Sequence, residues 1–280
     1  MEKKKSTRRK VCKVDTSVPF FKTFDKCSSW LAYVPNFLSK EEAKIYYDEL
    51  SQVDFKPEKK MFGHSARQVK WFGDFDYKYS NSTKEACKAP AFVNLMAQKV
   101  SEEANKYQAL ANETRKNILL AKKEAIEKQK LKGKKRKLDV DIDEEKKFEI
   151  DDASTTTLSS QQASAATMLP KKIIYTGSLH NKYETGQNSV GYHSDAESTL
   201  YPGVPISSLS VGAVRKFKLR FFKGNIYHLP LLNGSLLIMG GNLQKVSDHA
   251  VEKEEVEETR LNSTYRMYAN QPAFEKADQA

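Results

Sequence analysis

Arg260-Leu261-Asn262-Ser263-Thr264-Tyr265-Arg266 sets two guanidiniums, an amide and a hydroxyl at alternate positions, while Leu261, Ser263, Tyr265 and then Met267 take the other alternation. A β-strand sends successive side chains to opposite faces, so the stretch reads as a strand with one packed face and one polar face. Arginine forks hydrogen-bond carboxylates bidentately, and two on one face call for a ligand with two acidic ends. An exposed edge strand with a solvated polar face is the competing reading. Upstream stand His249 and, 54 positions before it, Asp195 of His193-Ser194-Asp195. Two imidazoles and one carboxylate on a rigid strand pair can occupy one face of an octahedral Fe(II), leaving three positions for a co-substrate and O2. In a chain with five histidines a His-x-Asp pair alone is cheap. The arginine row makes it specific.

Further strands are expected at 173–178, 206–211, 216–222, 226–229, 236–239 and 261–268. Turn chemistry separates them at Lys223-Gly-Asn225 and Leu232-Asn-Gly-Ser235. Short strands at this spacing indicate a sandwich or jelly roll.

Several motifs follow one order: Asn181-Lys-Tyr183, Gly191-Tyr-His193-Ser-Asp195-Ala-Glu197, Ile206-Ser-Ser-Leu-Ser210, Gly212-Ala-Val-Arg215-Lys-Phe217, Asn233-Gly-Ser-Leu-Leu-Ile-Met239, His249 and the Arg260–Arg266 row. Before them come Met61-Phe62-Gly63, Arg67, Trp71-Phe-Gly73-Asp74 and Tyr77-Lys-Tyr79-Ser80. With these residues the chain resembles the AlkB-type Fe(II)- and 2-oxoglutarate-dependent dioxygenases that repair alkylated bases, most closely their eukaryotic branch acting on duplex DNA. The resemblance covers most of residues 30–105 and 170–270. It implies a mainly β fold with flanking helices, in which a double-stranded β-helix (jelly roll) carries the iron in its open end beneath an N-terminal nucleotide-recognition lid.

The same resemblance implies roles. His193, Asp195 and His249 would be the catalytic iron ligands. Asn181 and Tyr183 would reach 2-oxoglutarate, although Tyr183 can equally be a packed aromatic. Arg260 would pair with the distal carboxylate of 2-oxoglutarate and Arg266 would lie by the iron-chelating one, with Asn262 and Thr264 on the same face. On the substrate side, Phe62 would be the wedge that fills the space left by an extruded base, Gly63 giving the hairpin tip its flexibility; a buried phenylalanine in a turn is the alternative. His64, Arg67 and Tyr77 belong to the same lid, Tyr79 would sandwich the flipped base against His193, and Glu197 would be the acid beside it. One departure is Ala196, where many relatives carry a second acid, and it bears on base preference rather than on the iron chemistry. His180 and His228 read as ordinary strand-edge histidines.

The 280 residues carry a net charge of +11 with a pI near 9.3, which favours a polyanionic partner. No apolar run approaches the roughly 18 residues of a spanning helix, so no membrane is expected. Cys12, Cys27 and Cys87 are odd in number and form no CxxC pair, which indicates a reducing compartment and neither a disulfide framework nor a zinc site. No signal peptide is visible. The expected organisation is a basic disordered tail over 1–29, N-terminal helices and lid over 30–107, a charged, largely disordered insertion over 108–168, the β-helix core over 169–270 and a C-terminal tail over 271–280. Ser39 reads as the N-cap of a helix with the stripe Ala43, Tyr46, Tyr47, Leu50, and a second helix is expected from Pro90 to about Tyr107. In the insertion, residues 121–138 are basic and read as a solvated helix, residues 139–152 are acidic, and Lys134-Lys-Arg-Lys137 looks like a nuclear localisation signal. The expected activity is oxidative demethylation of 1-methyladenine and 3-methylcytosine in double-stranded alkylated DNA by a nuclear monomer. An RNA or single-strand demethylase, or a non-catalytic nucleic-acid-binding module, are the alternatives.

Overall fold

The computed structural model describes residues 9–25, 28–58, 67–79, 82–138, 170–197 and 199–269. In chain order its strands are β1 (Val11–Lys13), β2 (Phe20–Phe24), β3 (Ser29–Val34), β4 (Lys56–Pro57), β5 (Gln68–Gly73), β6 (Tyr77–Tyr79), β7 (Ser82–Lys84), β8 (Gly177–Tyr183), β9 (Val190–His193), β10 (Ile206–Gly212), β11 (Arg215–Phe221), β12 (Ile226–Leu231), β13 (Ser235–Gly241), β14 (Ser247–Val251) and β15 (Arg260–Arg266). The helices are α1 (Lys40–Ser51), α2 (Ala91–Leu138) and the single turn α3 (Leu243–Val246).

From β8 onward the strands divide between two facing sheets. One runs β8-β15-β10-β13 and the other β9-β14-β11-β12, all antiparallel. This is the double-stranded β-helix. The alternation of each strand explains the closure: Phe217, Leu219 and Phe221 of β11, Leu229 and Leu231 of β12 and Leu237 and Met239 of β13 point inward and meet as one cluster between the sheets. The opposite face of the larger sheet is covered by helices. There Leu209, Val211, Leu236, Ile238, Leu261 and Tyr265 pack on Ala43, Tyr46 and Leu50 of α1 and on Val100, Ala104 and Ala111 of α2.

Local signals start α1 where the sequence places it. The Ser39 hydroxyl accepts from the Glu42 backbone N–H and the Glu42 carboxylate accepts from that of Ser39, a reciprocal capping box. Gly234 follows Asn233 at φ +73°, the left-handed geometry that the β12–β13 turn requires.

The N-terminal region departs from the expected tail. β1 pairs parallel with β12, while β2 pairs antiparallel with β3 and β3 antiparallel with β13, so residues 1–29 include two strands and the start of a third. The basic composition of Met1–Lys10 does not extend to the aromatic run Phe20-Phe-Lys-Thr-Phe24, which forms β2. Within the expected lid, β5 and β4 extend the larger sheet beyond β8, while β6 and β7 form a separate hairpin. The second helix does not stop near Tyr107 but continues to Leu138, because its Ala-, Leu-, Glu- and Lys-rich sequence sustains a helix without a core beneath it. Residues 139–169 and 270–280 lie outside the described residues. The expected strand at 173–178 is displaced: Ile173 and Tyr175 are buried, but the strand begins at Gly177. His180 and His228 sit on strands paired on both sides rather than at edges. Cys12 and Cys87 are free thiols, and among the described residues no helix is long and apolar enough to cross a membrane.

Candidate active site

β9 and β14 pair so that His193 and His249 are direct cross-strand partners, with ring centroids 4.3 Å apart. Asp195 follows β9 and turns its carboxylate between them. His193 Nε2 lies 3.8 Å from Asp195 Oδ1, and His249 Nε2 lies 4.0 Å from Asp195 Oδ2. All three ligand atoms fall within 4.8 Å of one another, the one such cluster of possible metal ligands among the described residues. His193 Nδ1 bonds the Gly191 carbonyl at 2.8 Å, which fixes the proton on that nitrogen and leaves the Nε2 lone pair toward the cluster. His249 is stacked on Phe217 at 5.2 Å.

Arg266 grips the carboxylate from the neighbouring sheet, donating from Nη2 to Asp195 Oδ2 at 2.8 Å. Burial alone would raise Asp195, and the charges of Arg266, His249 and His193 more than reverse this, holding the carboxyl well below its usual range. Burial pushes His249 down to about 3 and lowers His193 as well. The site therefore presents neutral imidazoles and an ionised carboxylate, the protonation states a metal ion needs.

The polar face of β15 lines a narrow cavity together with Arg67, Tyr77, Asn181, Tyr183 and the three clustered residues. Arg260 is 1% exposed; its Nη2 donates to Ser210 Oγ at 2.9 Å, and its Nε and Nη1 have no partner. Burial pushes this guanidinium down to about 10, with Tyr183 offsetting and Arg215 and Arg67 adding to the effect. Arg266 Nε and Asn181 Oδ1 are likewise buried without partners. Unpaired guanidinium nitrogens buried in a cavity wall are costly, and a carboxylate anion between them would supply what they lack. The donor set thus fits both groups that the sequence implied: a divalent ion on His193, Asp195 and His249, and a dicarboxylate spanning Arg260 to Arg266.

Not every residue of the row is available to a ligand. Asn262 Nδ2 donates to Ser208 Oγ and the Leu209 carbonyl, and its Oδ1 accepts from Asn181 Nδ2 and Thr264 Oγ1. Asn262 and Thr264 therefore stand on the wall, but the Asn262 amide is engaged by Ser208, Leu209, Thr264 and Asn181, and its oxygen orients Asn181. Tyr183 is 2% exposed, with the Arg260 and Arg215 guanidiniums 5.1 and 5.6 Å from its ring and Arg67 Nη1 at 3.5 Å from its hydroxyl. It both packs and faces the cavity.

On the lid side, Tyr77 stacks on Trp71 at 4.8 Å and donates its hydroxyl to Glu197 Oε1 at 2.7 Å, while Glu197 Oε2 is buried without a partner. Arg67 reaches the cavity while paired with Glu58 at 2.8 Å. Phe62, Gly63 and His64 lie outside the described residues, and Tyr79 is described only in its backbone, on β6. Sequence reasoning passed over Gln244, whose Oε1 accepts the Asp195 backbone N–H at 3.0 Å, and Phe217 beneath His249. Phe217 was accessible through the alternation of β11; Gln244 sits on a single helical turn with no pattern to mark it.

A model of the 2OG-Fe(II) oxygenase superfamily matches residues 31–266. Over 98 residues the chain is 35% identical to the DNA oxidative demethylase ALKBH2 of Homo sapiens, covering 31% of this chain and 38% of that protein. Over 105 residues it is 36% identical to the alpha-ketoglutarate-dependent dioxygenase alkB homolog 3 of Bos taurus, covering 34% and 37%. The matched stretch spans less than two-fifths of either relative. The solved structure of OsALKBH1 aligns with a TM-score of 0.50 at 16% identity, covering 85% of this chain and 97% of that one, a likeness of fold.

Proposed function

The chain belongs to the 2OG-Fe(II) oxygenase superfamily, and from that premise we propose that it is an AlkB-type dioxygenase that oxidatively demethylates N-alkylated bases, 1-methyladenine and 3-methylcytosine, in duplex DNA. The observation that carries this reading is the pairing of one metal-ligand cluster with two buried arginines that still have unpartnered nitrogens in a single cavity. When bound there, Fe(II) and 2-oxoglutarate would supply O2-dependent hydroxylation of the N-methyl group, with succinate, CO2 and formaldehyde as products.

The residues of the chain do the rest. Arg260 and Arg266 would hold the two acidic ends of the co-substrate, which is why a fork is needed at both positions. The Asp195–Arg266 pair keeps the carboxylate ionised and aimed. Leu179, Val190, Phe217, Met239 and Val251 line the remaining wall and exclude water. Tyr77 orients Glu197 so that its second oxygen is free for a cationic alkylated base. DNA as substrate is supported by the net charge of +11 and by the matched relative being a DNA oxidative demethylase. Nuclear location belongs to the same proposal and is supported by the run Lys134-Lys-Arg-Lys137.

Release of succinate and formaldehyde from methylated duplex, methylated single strand and methylated RNA, each with and without Fe(II), tests the reading. Iron-dependent turnover greatest on the duplex is expected. Turnover confined to single strands or RNA would replace the substrate, and none with any methylated nucleic acid would end the proposal.

A further inference from the structure

α2 changes character at Ala111. Up to that point Val93, Val100, Ala104 and Ala111 are buried against the body, whereas from Asn112 to Lys130 every side chain is exposed or half-exposed. The helix continues to Leu138. At 1.5 Å per residue, the part beyond Ala111 is about 40 Å long. It holds eleven Lys or Arg against three Glu, a net +8 of the chain's +11.

We propose that this segment is a cationic arm that binds the phosphate backbone of duplex DNA outside the catalytic cavity. Most of the charges are sorted by face. At about 100° per residue, five of the six cations between Asn112 and Lys130, Arg115, Lys116, Lys122, Lys123 and Lys130, fall within an arc of about 120°, Lys128 lying apart from them, and Glu113, Glu124 and Glu127 fall within a separate arc of about 60°. No ion pair among the described residues engages any of those five cations. Lys128 with Lys132, and Lys130 with Lys134, are like charges one turn apart, which weakens the helix until a polyanion neutralises them. Leu119 and Ile126 are exposed at 46% and 52%, but they lie within the cationic arc instead of forming a wide apolar stripe. That pattern suits a phosphate surface, which wants cations on lysine stems, better than a lipid surface or a hydrophobic groove.

The inference rests on the proposed function for its partner, and its test separates the two. The full chain is compared with a variant carrying Lys116→Gln, Lys122→Gln, Lys123→Gln and Lys130→Gln, which leaves residues 134–137 intact. Binding to an unmethylated 30-base-pair duplex is measured by fluorescence anisotropy across a salt series, with far-UV circular dichroism as a fold control. Each lost phosphate contact lowers the slope of log affinity against log salt by about 0.9, so a fall of about two to four is expected, with affinity at low salt weaker by at least tenfold. The corresponding Lys→Arg variant should restore the slope. Turnover at saturating short methylated oligonucleotide should stay within about twofold. An unchanged slope and affinity in the Gln variant would overturn the arm, as would a slope unchanged while the variant alters self-association. Failure to demethylate any DNA, with the slope falling as expected, would leave the arm standing and remove the proposed reaction.

Discussion

At the scale of single residues, the site combines groups that act on chemistry with groups that hold them. His193→Ala or Asp195→Ala should reduce 2-oxoglutarate turnover to background while duplex affinity stays nearly unchanged, because phosphate contacts lie elsewhere. Parallel succinate and anisotropy assays check this, and full activity in either variant would refute the assignment. Arg266→Lys keeps the charge but loses the planar guanidinium, whose Nη2 donates to Asp195 at 2.8 Å. A rise of about tenfold or more in the KM for 2-oxoglutarate is expected, corresponding to a charged hydrogen bond of roughly 1.5–3 kcal/mol. His180 supplies a separate, pH-dependent test. It is fully buried between Ser178 Oγ and Ser263 Oγ, and burial pushes it down to about 3 from 6.5. Because its folded pKa is depressed, the unfolded chain binds the extra proton, and stability is lost as pH falls from 6.5 toward 3. Each such histidine contributes a slope of about 1.4 kcal/mol per pH unit in that window. Urea denaturation of metal-free protein at pH 7, 6, 5 and 4 should show this decline, His249 adding to it; a flat profile would contradict the burial of His180.

At the scale of elements, the strands set off by turn chemistry were legible, whether they alternate as Arg215–Phe221 does or stay buried almost throughout as Ser235–Gly241 does. Those expected at 206–211, 216–222, 226–229 and 236–239 differ from β10, β11, β12 and β13 by no more than two residues at any end. β9 and β14 were not, although they carry His193, Asp195's approach and His249: their short runs mix polar ligands with small residues, and the pairing that brings the histidines together is long-range. The ligand cluster was therefore readable as residue types, while its geometry required the sheet. Gly240 of β13 illustrates a constraint that only the fold reveals, since a Cβ there would collide with the Trp30 ring on β3. Trp30 is 2% exposed and cannot withdraw, so Gly240→Ala should cost about 3 kcal/mol or more, measured by chemical denaturation. α2 gives the opposite expectation. Deleting 112–166, and thus keeping buried Ala111, should leave the midpoint of thermal unfolding within a few degrees and activity on a short oligonucleotide within a few-fold. A deletion variant that fails to fold would make the segment part of the core.

At the scale of the whole molecule, the two sheets of the β-helix are tied together by chain that its composition had suggested was a tail. β2 covers the edge of β3, and β1 covers the edge of β12. Phe20 stacks on Tyr33 at 5.7 Å within the larger sheet, whereas Phe24 meets Phe221 of the smaller sheet at 4.7 Å and so bridges the pair. Phe21 packs on Trp30 and Tyr107, linking the same strand to α2. These three phenylalanines are half-buried, so each contributes part of the about 3–5 kcal/mol of a fully buried one, against a net stability of about 5–15 kcal/mol for a domain. Removing residues 1–8 should therefore change little, while removing 1–25 should lower stability by several kcal/mol. It should also expose the β3 edge, where Trp30 to Tyr33 form an apolar row with unpaired backbone groups, a template for self-association. Denaturant midpoints and light scattering on the two truncations distinguish the outcomes. If the longer truncation were as stable and as monodisperse as the shorter, β1 and β2 would be dispensable additions, and closure of the jelly roll would rest on β8 to β15 with β3 beside β13.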